Sequence, residues 1–227
     1  YLAKERIQFT ANVTHELKTP LQSIMGSAEL LQHNYVKAED VPTFLERIHS
    51  EAVRLLTLIN NIISLSHLDE KEKYKFECLD LFELVDEEIV ALYPLSEKHK
   101  VLLTASGRHC PIFGVRELLH EIIYNLCENA IKYNVENGRV DINVYQENDK
   151  NYLKVKDTGI GIPEEHQPRI FERFYRVDKS RSKETGGTGL GLSIVKHEAQ
   201  YMNGSIDLKS KVGEGTEITI AFDTENI

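Results

Sequence analysis

Apolar residues recur at Phe9, Val13, Leu17, Leu21, Ile24, Ala28 and Leu31, at intervals of three and four that mark one face of a helix. After a polar break over 33–40 the pattern resumes at Phe44, Ile48, Ala52, Leu55, Ile59 and Ile62, and it fades near Leu68. Two long helices joined by a short loop predict an antiparallel hairpin. Val41, Leu45, Leu56 and Ile63 widen the second stripe beyond what one partner helix covers. Pairing with a second copy, as a four-helix-bundle homodimer, buries that surface most simply; the rest of the chain is the other candidate cover.

Beyond Leu68 the pattern changes. The run Glu70-Lys-Glu-Lys-Tyr-Lys is charged and reads as a linker, dividing the chain into a helical hairpin, 1–72, and a second domain, 73–227. Residues 81–96 read as a helix with Asp80 as N-cap, 101–105 and 110–114 as short strands, and 118–133 as a strong helix. Segments 139–145 and 152–157 alternate as half-buried strands do. A helix over 190–201 precedes strands at 205–210 and 216–222, which close as a hairpin around Gly213-Glu-Gly215. The fold class is α+β: a mixed sheet covered by helices on one side, behind a helical hairpin.

Composition narrows the function. Of 227 residues, 27 are Lys or Arg and 36 are Asp or Glu, a net charge of −9. Such an acidic balance argues against nucleic acid as a partner, because a phosphate backbone is met by basic faces. No apolar run approaches the roughly 18 residues that cross a bilayer, and Tyr1-Leu-Ala-Lys-Glu-Arg is not a signal peptide. The chain does not start with Met, so a missing upstream part is expected. Cys78, Cys110 and Cys127 have no metal or redox spacing and read as reduced cysteines.

His15 carries the first candidate chemistry. It lies two residues from both Val13 and Leu17, off the apolar stripe, and shares its face with Lys18, Thr19 and Gln22. Glu16 adjoins it. A carboxylate that takes the proton from one ring nitrogen leaves the other a lone pair for nucleophilic attack. Pro20 denies an N–H to the carbonyl of Glu16, so a bend or loosened turn is expected just after His15, within one helix running back to Phe9.

Three further motifs follow. Asn125, Asn129, Lys132 and Tyr133 fall along one helix face; amide oxygens suit a hard cation, and a lysine one turn on suits a phosphate. Asp157-Thr-Gly159-Ile-Gly161-Ile-Pro163 follows a strand, where a carboxylate can take a hydrogen bond from an exocyclic amine and glycines let the backbone approach a flat ring. Gly186-Gly187-Thr188-Gly189-Leu190-Gly191 leads into a helix, whose N-terminus suits phosphate. Arg169, Arg173, Arg176, Lys179, Arg181 and Lys183 make 164–188 read as a basic lid over a polyanion. Phe171-Glu-Arg-Phe-Tyr175 within it is aromatic and amphipathic, suited to docking on a partner surface.

Together these motifs resemble the catalytic core of sensor histidine kinases of two-component systems, over essentially the whole chain. His15-Glu-Leu-Lys-Thr-Pro resembles the phospho-acceptor box. Asn125 to Tyr133, Asp157 to Gly161, Phe171 to Tyr175 and Gly187 to Gly191 resemble the four nucleotide boxes in order. The resemblance implies a dimerisation and phosphotransfer hairpin followed by an ATP-binding domain of the gyrase/Hsp90/kinase/MutL type. It implies ATP and Mg²⁺ as cofactors, with Asn129 and Asn125 at the metal and Lys132 and Arg176 at the phosphates. Tyr133 and Asp157 would meet adenine, Gly159 and Gly161 would shape that pocket, and Gly187, Thr188, Gly189, Leu190 and Gly191 would form the lid hinge. Thr216 would support the adenine end through water. His15 would be phosphorylated, with Glu16 as base, and would pass the phosphate to an aspartate of a response-regulator receiver domain. Glu16 and Thr19 also fit the family's pattern for dephosphorylating that regulator. The parent is expected to be a membrane sensor with this region in the cytoplasm. One departure concerns the position after Gly114, where many relatives carry a helix-capping Asp and this chain has Val115. A conformational ATPase of the same nucleotide fold would need neither His15 nor the hairpin, and a degenerate scaffold would need neither Asn129 nor Asp157.

Overall fold

The computed structural model describes residues 2–68, 74–178 and 187–223, with side chains over 9–66, 74–178 and 187–223. The expected domain boundary at residue 72 and the lid cations Lys179, Arg181 and Lys183 lie outside the described residues. Helix α1 (Leu2–Gln32) and helix α2 (Val41–Leu68) form the hairpin. α1 continues through Pro20, which is buried. Around that proline the hydroxyl of Thr19 donates to the carbonyl of His15 at 3.2 Å. Thr14 bonds the carbonyl of Thr10 in the same way, at 2.9 Å. Such back-bonding lets a helical hydroxyl satisfy itself on the preceding turn.

The second domain is built on a five-stranded sheet in the order β2-β4-β5-β7-β6. The strands are β2 (Leu102–Gly107), β4 (Arg139–Glu147), β5 (Lys150–Asp157), β6 (Ser205–Lys211) and β7 (Gly215–Asp223). β2 runs parallel to β4 and every other pairing is antiparallel, so the sheet is mixed. Helices α3 (Leu81–His99), α4 (Arg116–Lys132) and α5 (Gly191–Tyr201) supply the other layer. Ile122, Ile123, Val140, Ile142, Leu153 and Ile220 are almost fully buried between them.

The short strand read at 110–114 does not join this sheet. β3 (Pro111–Gly114) instead pairs antiparallel with β1 (Glu77–Asp80), a strand too short and too polar to show in the hydropathy. Asp80 ends β1 and caps α3, accepting from the Phe82 amide at 2.9 Å and the Cys110 amide at 3.1 Å. Val115 holds the N-cap position of α4 with no side-chain cap bond. Its side chain is fully buried, so burial rather than capping explains the residue there. Cys110 and Cys127 are buried, and all three cysteines are free.

The second domain covers part of α2. Leu58 and Leu65 are buried against Leu190 and Ile194 of the second domain, with Phe9, Leu17, Ile62 and Phe174 around them. Leu45, Leu56 and Ile63 remain exposed, as do Leu21 and Met25 of α1.

One core residue is out of character. Glu198 in α5 is fully buried, and neither of its oxygens meets a hydrogen-bond partner. Burial first, then the neighbouring Glu121 carboxylate, pushes its carboxyl up to about 11. The unfolded chain releases this proton near the ordinary value of 4.5 while the folded chain keeps it. Stability therefore falls as pH rises between those limits, by up to roughly 1.4 kcal/mol per unit. Glu198→Gln is expected to remove this component: thermal melts should show a stabilisation that is smallest below pH 4 and grows steadily to pH 8.

Candidate active site

A cleft of about 920 Å³ opens between α2, α4, the loop after β5 and the turn before α5. That volume suits a nucleotide-sized ligand. Asn125, Asn129, Lys132, Tyr133, Asp157, Gly161, Arg176, Gly187, Thr188, Gly189, Gly191 and Thr216 all line it, although they span more than ninety positions of sequence. Gly159 lies just behind, where an added Cβ would stand 2.4 Å from the Tyr133 carbonyl. Leu190 does not line the cleft: it is fully buried in the contact with the hairpin. The hinge carries one anchoring side chain among residues expected to face the ligand.

At one end of the cleft, one Asp157 oxygen accepts from the Gly159 amide at 2.7 Å and the Thr216 amide at 3.2 Å. Burial raises the carboxyl above its ordinary value, and these two amides pull against it. No described group bonds its second oxygen. Thr216 thus reaches Asp157 directly through its backbone, while its hydroxyl lies 2.8 Å from that of Ser210. Gly161 has φ +68, and a Cβ there would sit 2.0 Å from the Lys211 carbonyl.

At the opposite end, Lys132 pairs with Glu128 at 2.9 Å, an ion pair one helical turn long. Asn125 donates to the Glu121 carbonyl at 2.9 Å, which commits its NH₂ and leaves its oxygen for another partner. Asn129 lies one turn on. Two amide oxygens on one helix face fit a hard cation. Among the described residues no cluster of three or more His, Cys, Asp or Glu side chains is arranged for a metal.

The basic lid is partly otherwise engaged. Arg169 forms a forked pair with Glu172 and lies over the Tyr175 ring, 4.3 Å from its centroid. Arg173 lies over the Phe9 ring and contacts His197 at 3.1 Å. Neither reads as a free polyanion ligand. Phe174 docks on Phe9 of this chain's own hairpin, with ring centroids 5.7 Å apart. It does so from a left-handed backbone, φ 65, with its amide on the Gly189 carbonyl at 2.8 Å.

Arg176 ties the cleft to the hairpin. Its side chain is only 8% exposed, and Nη2 donates to Glu16 Oε2 at 2.7 Å and to the Thr188 carbonyl at 3.0 Å. Its Nε is buried without a partner. Glu16 is thus engaged by Arg176 rather than by the imidazole ring beside it. His15 and Thr19 are exposed on α1, outside the cleft.

The sequence reading missed two further contacts from α2. Asn61 donates to the Thr188 hydroxyl at 3.1 Å and Ser64 to Glu121 at 3.3 Å. Their signal was present: Arg54, Thr57, Asn61 and Ser64 recur at three and four residues, a polar stripe on the helix. Glu198 likewise lies four residues from Ile194 and Met202, a charge placed inside an apolar stripe.

Comparison with known proteins places these features in a family. Residues 5–71 match the His Kinase A (phospho-acceptor) domain. Residues 114–226 match the histidine kinase-, DNA gyrase B- and HSP90-like ATPase domain. The sensor histidine kinase YkoH of Bacillus subtilis is 35% identical over 96% of this chain and 48% of its own length. The sensor-like histidine kinase SenX3 of Mycolicibacterium smegmatis is 38% identical over 96% of this chain and 57% of its own. The chain therefore spans about half the length of these curated relatives. Full-length ShkA in complex with AMPPNP superposes with a TM-score of 0.70 at 25% identity, over 95% of this chain and 45% of that one. Histidine kinase ThkA in complex with response regulator protein TrrA gives 0.77 at 23% identity, over 97% and 64%, a likeness of fold.

The cleft wall at Gly161 admits no side chain. Gly161→Ala is expected to cost more than about 2 kcal/mol, from a left-handed backbone and a forced shift of the Lys211 carbonyl. Urea denaturation of the two proteins measures it.

Proposed function

The chain belongs to the histidine kinases, with a phospho-acceptor domain ahead of a histidine-kinase-type ATPase domain, and from that premise we propose that it phosphorylates His15 from ATP. The observation that carries this reading is Arg176: one buried guanidinium faces the cleft and also holds Glu16, the neighbour of His15. That contact links the cleft to the helix that carries His15.

In the proposed reaction ATP occupies the cleft, with its adenine amine on the second oxygen of Asp157 and its ring beside Tyr133. Lys132 and Arg176, both lining the cleft, face the phosphates. Asn129, with Asn125, would hold Mg²⁺, which supplies charge neutralisation on the phosphates when bound. Once a swing of the second domain brings the cleft to the solvent-facing His15, a ring nitrogen of His15 attacks the γ-phosphorus, the bond to the bridging oxygen breaks, and ADP leaves. Glu16 accepts the proton from the ring; its second oxygen is not bonded by any described group. Catalysis is positioning and charge neutralisation.

The phosphohistidine is a good donor, and an aspartate of a receiver domain is the proposed acceptor, docking on the helices below His15. The kinship to sensor histidine kinases, and the response regulator bound by ThkA, support that partner. Glu16 and Thr19 give the same helix the residues for dephosphorylating the regulator. The exposed Leu45, Leu56 and Ile63 support a homodimer through the hairpin. No described helix is long and apolar enough to cross a membrane.

Incubation with γ-labelled ATP tests the assignment. Acid-labile, base-stable label should appear on the wild-type chain and be absent from His15→Gln; label that survives the substitution would place the phosphate elsewhere. Leu56→Glu together with Ile63→Glu should shift the chain from dimer to monomer in analytical ultracentrifugation.

A further inference from the structure

We propose that Asn61, a residue of the hairpin, is a positioning residue for the nucleotide: it holds the glycine-rich turn before α5, so that the docked hairpin completes the phosphate side of the cleft. The inference rests on the reading of the cleft as an ATP site.

Thr188 is the fixed point of that turn. It is nearly buried, at 8% exposure, yet it lines the cleft. Its hydroxyl oxygen accepts from Asn61 Nδ2 at 3.1 Å and from the Leu190 amide at 3.3 Å. Its carbonyl accepts from Arg176 at 3.0 Å. A hydroxyl has two lone pairs and one hydrogen. With both lone pairs engaged, the hydrogen is committed to donating to a third group, and a phosphate oxygen in the cleft is such an acceptor. Asn61 therefore does more than touch the turn: by filling one lone pair it fixes which way Thr188 can donate.

The turn needs such a hold. It carries glycine at 187, 189 and 191, and chain of that kind loses much conformational freedom when ordered. Two of its restraints come from the second domain: the Phe174 amide on Gly189, and Arg176 on Thr188. The Asn61 restraint comes from α2, 127 residues away in sequence. Ser64, on the same stripe of α2, adds a parallel contact to Glu121 at the start of the asparagine-bearing face of α4. Because hairpin docking orders the turn, nucleotide binding and docking must strengthen each other by the same factor.

The test is a double-mutant cycle on the full chain, read by titration with a fluorescent ATP analogue in the presence of Mg²⁺. Asn61→Leu keeps the bulk and removes the donor; Thr188→Val removes the hydroxyl. Asn61→Leu should weaken binding about fivefold, the scale of one neutral hydrogen bond. The double variant should bind no more weakly than Thr188→Val alone. Autophosphorylation should show a raised KM for ATP, with the rate at saturating ATP within about twofold of wild type. Unchanged binding in Asn61→Leu, effects of the two substitutions that multiply, or a matching loss at saturating ATP would each overturn the proposal. A wild-type chain that binds no nucleotide would overturn the ATP reading with it, whereas tight wild-type binding unaffected by Asn61→Leu overturns only the role of Asn61.

Discussion

A buried guanidinium joins the two halves of this molecule. Removing Arg176 from water is costly unless its charge is matched, and the match comes from Glu16 on the first helix and the Thr188 carbonyl on the glycine turn. Deleting one partner of such a buried pair characteristically costs about 3–5 kcal/mol, because the other charge is stranded. The arrangement constrains everything near it. α1 must present Glu16 toward the second domain, which leaves His15 on the solvent side. The turn must carry its carbonyl outward, which needs the left-handed Gly189, φ +72. The apolar contact of Leu58, Leu65, Leu190 and Ile194 must also close beside it, excluding the water that would weaken the pair.

Most of the fold was legible because its elements are long and periodic. The hairpin, the strong helix at 116–132 and the strands from 139 onward each repeat their pattern several times. The ribbon of β1 and β3 was not, because four residues give hydropathy almost nothing to repeat. The candidate site was legible residue by residue but not in its assembly. The spacing of Asn125, Asn129 and Lys132 reveals a shared helix face. Nothing in sequence spacing reveals that Arg176 reaches Glu16 across 160 positions, or that Asn61 reaches Thr188. Leu190 shows the converse difficulty. Inside a glycine-rich phosphate motif it reads as part of the ligand site, and only the packing shows it facing away, into the hairpin contact.

α2 explains why one helix can carry so many apolar residues without a single continuous partner. Its buried positions, Leu58, Ile62 and Leu65, serve the second domain. Its exposed positions, Leu45, Leu56 and Ile63, form a separate stripe. The polar positions Asn61 and Ser64 bring directed hydrogen bonds to the first of these contacts. Apolar contact brings the domains together and is tolerant of small shifts; the hydrogen bonds select one register from those that packing would accept.

Phe174 gives the domain contact a temporal character. A phenylalanine in the left-handed region sits on a backbone roughly 1–3 kcal/mol above its relaxed conformations. It persists there while its ring lies against Phe9 and its amide holds the Gly189 carbonyl. Parting the hairpin from the second domain removes the ring's reason to stay and returns that energy to the chain. The docked contact thus holds a strain that separation relieves, in the manner of a sprung catch. Such a catch suits the proposed reaction, in which the helix offers His15 in turn to the nucleotide and to a second protein.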